Sequence, residues 1–307
     1  MSKFAIIFPG QGSQTVGMLA ELGEQFDVVK ATFAQASEAL GYDLWALVQN
    51  GPVEDLNQTS RTQPALLAAS VAIWRVWQEQ GLEQPVNLAG HSLGEYSALV
   101  CAGVLDFQQA IKLVELRGQF MQEAVPAGVG AMYAIIGLDD ESIAKACEEA
   151  AQDEIVSPVN FNSPGQVVIA GNKAAVERAG VLCKAAGAKR ALPLPVSVPS
   201  HCALMQPAAD RLEIALQDIE FNTPIIPVIN NVDVIAETDP EKIKNALVRQ
   251  LHSPVRWTEG VQQMNDDGVE KLYELGPGKV LTGLTKRIVK TLTAAAVNDC
   301  ASLEAAK

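Results

Sequence analysis

Histidine is scarce in this chain: His91, His201 and His252 are the only three in 307 residues, so any chemistry that needs an imidazole has few candidates. Basic side chains are also in deficit, with 23 Lys and Arg against 36 Asp and Glu. The resulting net charge of -13 argues against non-specific binding to nucleic acid or to an anionic membrane surface. The five cysteines (Cys101, Cys147, Cys183, Cys202 and Cys300) are odd in number and scattered, with no C-x-x-C. That pattern excludes a disulfide framework or a zinc site as the organising feature and fits a reducing cytoplasm. Long apolar runs are missing too. Phe4 to Phe8 is too short for a secretory core and runs into Pro9-Gly10, while the most apolar helical segment, Pro64 to Trp77, is interrupted by Arg75. Neither secretion nor membrane insertion is expected. No internal repeat or low-complexity segment is present.

What remains is a globular composition, 48% hydrophobic and 19% charged, long enough for a large α/β domain or for one that carries a smaller unit. A strand at Phe4 to Phe8 leads into the loop Pro9-Gly10-Gln11-Gly12-Ser13-Gln14. Helical patterns follow near Val28 to Leu40 and Gln63 to Gln80, then a strand at Val86 to Ala89. Strands separated by helices imply a parallel sheet covered on both faces. The glycine loop lacks the third glycine of a dinucleotide fingerprint, Thr15 standing after it, and reads better as a tight turn whose amides face a site. From Gly128 to Val196 the order is strand Ala131 to Ile136, helix Asp140 to Ala151, strands Ile155 to Phe161 and Gln166 to Ala170, helix Lys173 to Ala186, strand Lys189 to Leu194. This β-α-β-β-α-β order is ferredoxin-like. The expected division is a discontinuous domain of residues 1–127 and 197–307 with an inserted ferredoxin-like subdomain, 128–196. Strand Ile225 to Ile229, helix Pro240 to Leu251 and strand Val269 to Leu275 return the chain to the main sheet. The alanine-rich tail after Thr291 is expected to fray.

The chemistry centres on Gly90-His91-Ser92-Leu93-Gly94, set between an apolar strand and the helical segment Glu95 to Cys101. The two glycines permit a turn too tight for a Cβ at either place. The tip serine then stands at a helix N-terminus, whose amides can hold an oxyanion, and the pattern points to acyl transfer through a covalent ester. The serine needs a base. His91 is adjacent on the elbow and cannot easily fold back, and the pattern leaves His201 and His252 both open.

Two buried polar residues sharpen the reading. On a helix from Asp106 to Val125 the polar positions Gln108, Lys112, Glu115, Gln119, Gln122 and Glu123 share one arc, and Arg117 lies opposite, among Ala110, Leu113, Val114, Phe120 and Met121. A guanidinium there requires an anion, either a buried carboxylate of the protein or the free carboxylate of a substrate. Gln250 shares the inward face of its helix with Ile243, Ala246 and Leu247, and its amide either caps a loop or orients an imidazole.

Taken together, Phe8-Pro9-Gly10-Gln11-Gly12-Ser13-Gln14, Gly90-His91-Ser92-Leu93-Gly94-Glu95-Tyr96, Arg117-Gly118 with Met121, Asn160-Phe161-Asn162-Ser163-Pro164-Gly165-Gln166, Val198-Pro199-Ser200-His201, Gln250-Leu251 and Gly276-Pro277-Gly278 resemble the malonyl-CoA:acyl carrier protein transacylases of bacterial fatty acid synthesis, from Phe4 to about Val289. The resemblance implies an α/β-hydrolase-like core with a parallel sheet plus an inserted ferredoxin-like subdomain. It implies Ser92 as nucleophile, His201 as its base and Gln250 as support for His201. The amides of Gln11 and Leu93 would form the oxyanion hole, and Arg117, with Met121 beside it, would bind the malonyl carboxylate. His252 is thereby left a structural role. Malonyl-CoA and acyl carrier protein are the implied partners, with no cofactor and no metal. Because that carrier is acidic, a local basic patch is needed on an acidic enzyme, and Lys189, Arg190, Lys286 and Arg287, with Lys290, are candidates. A serine thioesterase or esterase of α/β-hydrolase type is the alternative that the elbow alone would allow; it requires an acid between nucleophile and histidine, and none there stands in a suitable motif.

Overall fold

The computed structural model describes residues 3–196 and 198–307. Strand β1 (Phe4–Phe8) is buried at every position, and its alternate side chains enter different cores. Phe4, Ile6 and Phe8 pack with the long helices Asp27–Leu40, Thr59–Glu79 and Phe107–Ala124, whereas Ala5 and Ile7 pack with Trp257, Val261, Leu281 and Leu284 on the other side. A strand apolar on both faces is what a sheet covered by helices on both sides demands. β1 is central in an all-parallel five-stranded sheet. It pairs with β2 (Asn87–Gly90) on one side and with the strand Lys271–Leu275 on the other.

Between Gly130 and Pro193 the chain builds a second, antiparallel sheet from β3 (Gly130–Ile136), β4 (Val156–Ser163), β5 (Gln166–Asn172) and β6 (Arg190–Pro193). Its first and third strands are central, as the ferredoxin-like order requires. Ile135, Val167 and Ile169 cover one face against the helices Asp140–Ala151 and Lys173–Ala185; Met132, Val168 and Ala170 turn the other face toward Val159 and Cys202. Main-chain bonds between Phe161 and Val255 and between Val255 and Val159 fasten this sheet to the larger unit. The expected boundary at 196/197 falls at Ser197, outside the described residues, as do Met1 and Ser2 of the expected N-terminal segment.

Two expectations are corrected. The strand expected over Ile225 to Ile229 shrinks to β7 (Val228–Ile229), which pairs with β2 and adds a single bridge from Ile229 to Ala236. Pro224 and Pro227 remove donors from that stretch, and Ile225 is 78% exposed. The tail after Thr291 does not fray. β9 (Thr293–Val297) adds in parallel to β8 (Lys271–Leu275), and a capping box between Asp299 and Ser302 starts the helix Cys300–Glu304, which buries Leu303. Alanine is a weak strand former, and its preference is overridden here by the ladder with β8, in which every residue from Thr293 to Val297 has a partner. Helices Leu44–Asn50, Gln206–Gln217 and Trp257–Asp266 also form, and the helix expected from Gln63 begins a turn earlier, at Thr59, carrying Pro64 inside it. Among the described residues no helix is long and apolar enough to cross a membrane.

Because Leu303 is the buried side chain by which the C-terminal helix enters the main core, Leu303→Ala should cost about 2–5 kcal/mol. A urea titration showing no shift in midpoint would mean that the tail contributes nothing to the core.

Candidate active site

The C-terminal ends of β1 and β2 lie side by side, with Phe8 opposite Gly90, and each strand runs directly into a loop at the mouth of one cleft. Such crevices beyond the carboxyl ends of parallel strands are where open α/β sheets bind ligands. The turn at Ser92 is as tight as its glycines suggested. A Cβ at Gly90 would sit 1.9 Å from the main chain of Gly94, and one at Gly94 would sit 2.1 Å from the carbonyl oxygen of Phe8. Ser92 itself takes a left-handed conformation, φ 53°, a strain that only surrounding bonds can hold. Asn231 supplies them. Its Oδ1 accepts from the Ser92 N–H at 2.8 Å and its Nδ2 donates to the Gly90 carbonyl at 2.7 Å, so one side chain spans the bend.

The tension left open between two histidines is resolved by distance. His201 Nε2 lies 2.8 Å from Ser92 Oγ, and His201 Nδ1 lies 2.6 Å from the main-chain carbonyl of Gln250. A carbonyl can only accept, so Nδ1 carries the hydrogen and Nε2 presents its lone pair to the serine hydroxyl. Burial, with the Arg117 cation nearby, pushes the imidazole down to about 3, which leaves it neutral and able to take a proton at neutral pH. His252 does not line the cleft. His91 is half-buried at the cleft beside Trp257 and bonds Asn162 of β4 at 2.8 Å, joining the elbow to the antiparallel sheet.

Arg117 is 1% exposed on the inward face of its helix, as its position among apolar residues implied. Its partners are amides and a hydroxyl. Nη1 donates to Gln63 Oε1 at 2.7 Å, and Nη2 donates to Gln250 Oε1 at 3.0 Å and to Ser92 Oγ at 3.3 Å. Gly118 allows the helices to approach this closely, since a Cβ there would meet the Ser60 main chain at 2.6 Å. The Gln250 side chain therefore bonds Arg117, while its main-chain carbonyl, not its amide, meets His201. Gln250 Nε2 donates onward to Glu95 Oε2 at 2.8 Å and to the Ser92 carbonyl at 3.1 Å.

Gln11 and Leu93 line the same cleft, and neither amide N–H is used in the hydrogen bonds of its loop; the neighbouring Gly12 amide is satisfied by the Gln14 side chain. Met121 is buried at the cleft wall, its sulfur 3.5 Å from Gln63 Nε2. Met132 of β3, Asn160 of β4 and Leu194 beyond β6 complete the wall from the second sheet. Sequence reasoning missed Gln63, Asn231 and Glu95. Gln63 carried a signal, a glutamine on the otherwise apolar face of the Thr59–Glu79 helix; Asn231 lies in a loop and carried none.

The chain matches the acyl transferase domain family over residues 5–305. It is 70% identical over 306 residues to the malonyl CoA-acyl carrier protein transacylase of Escherichia coli K12, covering 100% of this chain and 99% of that one, and 46% identical to that of Bacillus subtilis strain 168, covering 100% and 96%. A solved acyl carrier protein S-malonyltransferase from Vibrio cholerae superposes with a TM-score of 0.99 at 81% identity over the whole of both chains. A malonyl-transacylase solved in complex with a type II PKS acyl-carrier protein gives a TM-score of 0.99 at 71% identity, covering 99% of each. With the elbow, the imidazole and the buried cation gathered in one cleft, these matches establish that the chain belongs to the acyl transferase domain family, among the malonyl CoA-acyl carrier protein transacylases.

Proposed function

We propose that this protein moves a malonyl group from malonyl-CoA to the phosphopantetheine thiol of an acyl carrier protein through a malonyl ester on Ser92, in the cytoplasm and for fatty acid biosynthesis. The observation that carries the reading is that one hydroxyl, Ser92 Oγ, lies both 2.8 Å from His201 Nε2 and 3.3 Å from Arg117 Nη2. His201 takes the hydroxyl proton as Oγ attacks the thioester carbonyl. The tetrahedral oxyanion is received by the amides of Gln11 and Leu93, each donor supplying roughly 3–4 kcal/mol of transition-state stabilisation. The intermediate collapses, the proton on His201 goes to the departing coenzyme A sulfur, and malonyl-Ser92 remains. The carrier thiol then enters, gives its proton to His201 and attacks the ester carbonyl; the proton returns to Ser92 Oγ as the malonyl thioester leaves. Coenzyme A is a substrate in this scheme, and no cofactor is invoked.

Arg117 explains the choice of a diacid. With amides rather than a carboxylate as its neighbours, the guanidinium keeps its charge available for the far carboxylate of the malonyl group. Such a pair is worth about 1.5–3 kcal/mol. Met121 packs beside it and limits the pocket. The esterase alternative wants a carboxylate behind the imidazole, and the Gln250 carbonyl occupies that place.

For the carrier, the geometry favours the end of the antiparallel sheet. Arg190 stands opposite Ile136, Ile136 opposite Gln166, and Arg287 on the helix Val280–Ile288 donates to Gln166 Oε1 at 2.8 Å. Two basic clusters far apart in sequence, Lys189 with Arg190 and Lys286 with Arg287, thus stand at the same end of that sheet, and all four side chains are exposed. We take residues 128–196 as a docking unit inserted into a catalytic domain of 1–127 and 197–307.

Mixing enzyme with malonyl-CoA alone should release one equivalent of coenzyme A in a burst; a burst that survives Ser92→Ala would refute the ester. Arg117→Ala should lower malonyl transfer roughly tenfold to a hundredfold more than acetyl transfer, and equal losses in the two assays would remove the carboxylate clamp. Arg190→Glu or Lys286→Glu should raise the KM for the carrier about three- to tenfold and flatten its salt dependence; steady-state kinetics with unchanged KM would place the docking face elsewhere.

A further inference from the structure

Glu95 is a buried acid that the route above leaves without a task. It stands on the helix Gly94–Cys101, 2% exposed, behind the nucleophile. Both of its bonds fall on Oε2, which accepts from the Asn231 N–H at 2.9 Å and from Gln250 Nε2 at 2.8 Å. Arginine can only donate, so Gln250 must turn its oxygen to Arg117 and its nitrogen to Glu95. One amide therefore stands between a buried cation and a buried carboxyl, its dipole aligned with both. A carboxylate bonded directly to the guanidinium would occupy the donors that a substrate carboxylate needs. At one amide's remove it balances the charge and leaves the fork open.

We propose that Glu95 is the counter-charge of the empty site, balancing Arg117 through Gln250 until the malonyl carboxylate arrives, and then giving up that role by taking a proton from solvent. The inference rests on Arg117 as the malonyl clamp. Two anions sharing one buried cation repel, so malonyl binding and ionised Glu95 oppose each other, and by linkage each weakens the other equally. Glu95 is tuned for the exchange, since burial lifts its carboxyl to about 7 against the pull of the Asn231 and Gln250 bonds and of Arg117. The other groups facing it stay fixed in that range. Asp233 is held low and Arg249 high by their mutual bidentate pair, burial lifts Tyr96 to about 12, and His201 remains neutral.

The test is the ratio of kcat/KM for malonyl-CoA to that for acetyl-CoA, in which titration of coenzyme A, His201 and the acceptor thiol cancels. Glu95 is neutral below its pKa and ionised above, so in the wild-type enzyme the ratio should fall about tenfold as pH rises from about 6 to about 8.5. Glu95→Gln can keep both accepted bonds on its single amide oxygen while losing the charge, and its ratio should stay at the low-pH value throughout. A Glu95→Gln profile that still titrates would overturn the proposal. So would a flat wild-type profile, which needs no variant to fold. The two readings separate through Arg117→Ala: an unchanged ratio there defeats the clamp itself, whereas a lowered ratio beside a flat wild-type profile defeats only the role given to Glu95.

Discussion

The site depends on a serine held in a backbone conformation it would not choose. Ser92 can remain left-handed because the bend is closed on both sides, by glycines that let β1, the elbow and the following helix touch, and by Asn231, which ties the Ser92 amide to the Gly90 carbonyl. Everything chemical follows from that tip position. The hydroxyl lies at the cleft, and because Phe8 and Gly90 are in register the loop after β1 and the elbow after β2 line that cleft together, through Gln11 on one and Leu93 on the other. Strain concentrated at one residue is stable only when rigid neighbours over-determine it. Here those neighbours are the central strands of the sheet.

Around the elbow the protein handles buried charge in an indirect way. Arg117 meets Gln63 and Gln250, and Glu95 meets an amide and a main-chain N–H. No charged group in this cluster is matched by direct contact with its opposite. A direct buried ion pair gains coulombic energy but quenches the field that each partner projects. Amides satisfy hydrogen bonds without cancelling charge, so the cleft keeps a strong local field at moderate cost.

Much of this was legible in the residues. The G-x-S-x-G spacing carried the elbow because glycine there answers a steric need that no other residue meets. The helical arc around Arg117 exposed a buried cation because a charge among Leu113, Val114 and Phe120 has no local reason to be there. Gln250 was visible for the same reason, though what reaches His201 is its main chain, which no side-chain pattern reports. Other parts were illegible. Asn231 and Glu95 act across long sequence separations, one from a loop and one beside the nucleophile, where an acidic residue at a helix start looks like ordinary dipole compensation. The C-terminal strand was hidden by its alanines, whose place is decided by pairing with β8 rather than by their own preference.

The position of β1 in the sheet has a consequence for how the molecule is made. Its partners lie at residues 87–90 and 271–275, and the last strand, 293–297, closes on the latter. A chain emerging from the ribosome can complete the antiparallel unit of 130–193 from contiguous residues, but the first strand must wait unpaired on one edge until nearly the whole polypeptide is available. Contacts of such long range are slow to form. The elbow and its partner strand are thus made early but flanked late, and a product that stops short of residue 271 carries a nucleophile beside a β1 with one edge still open.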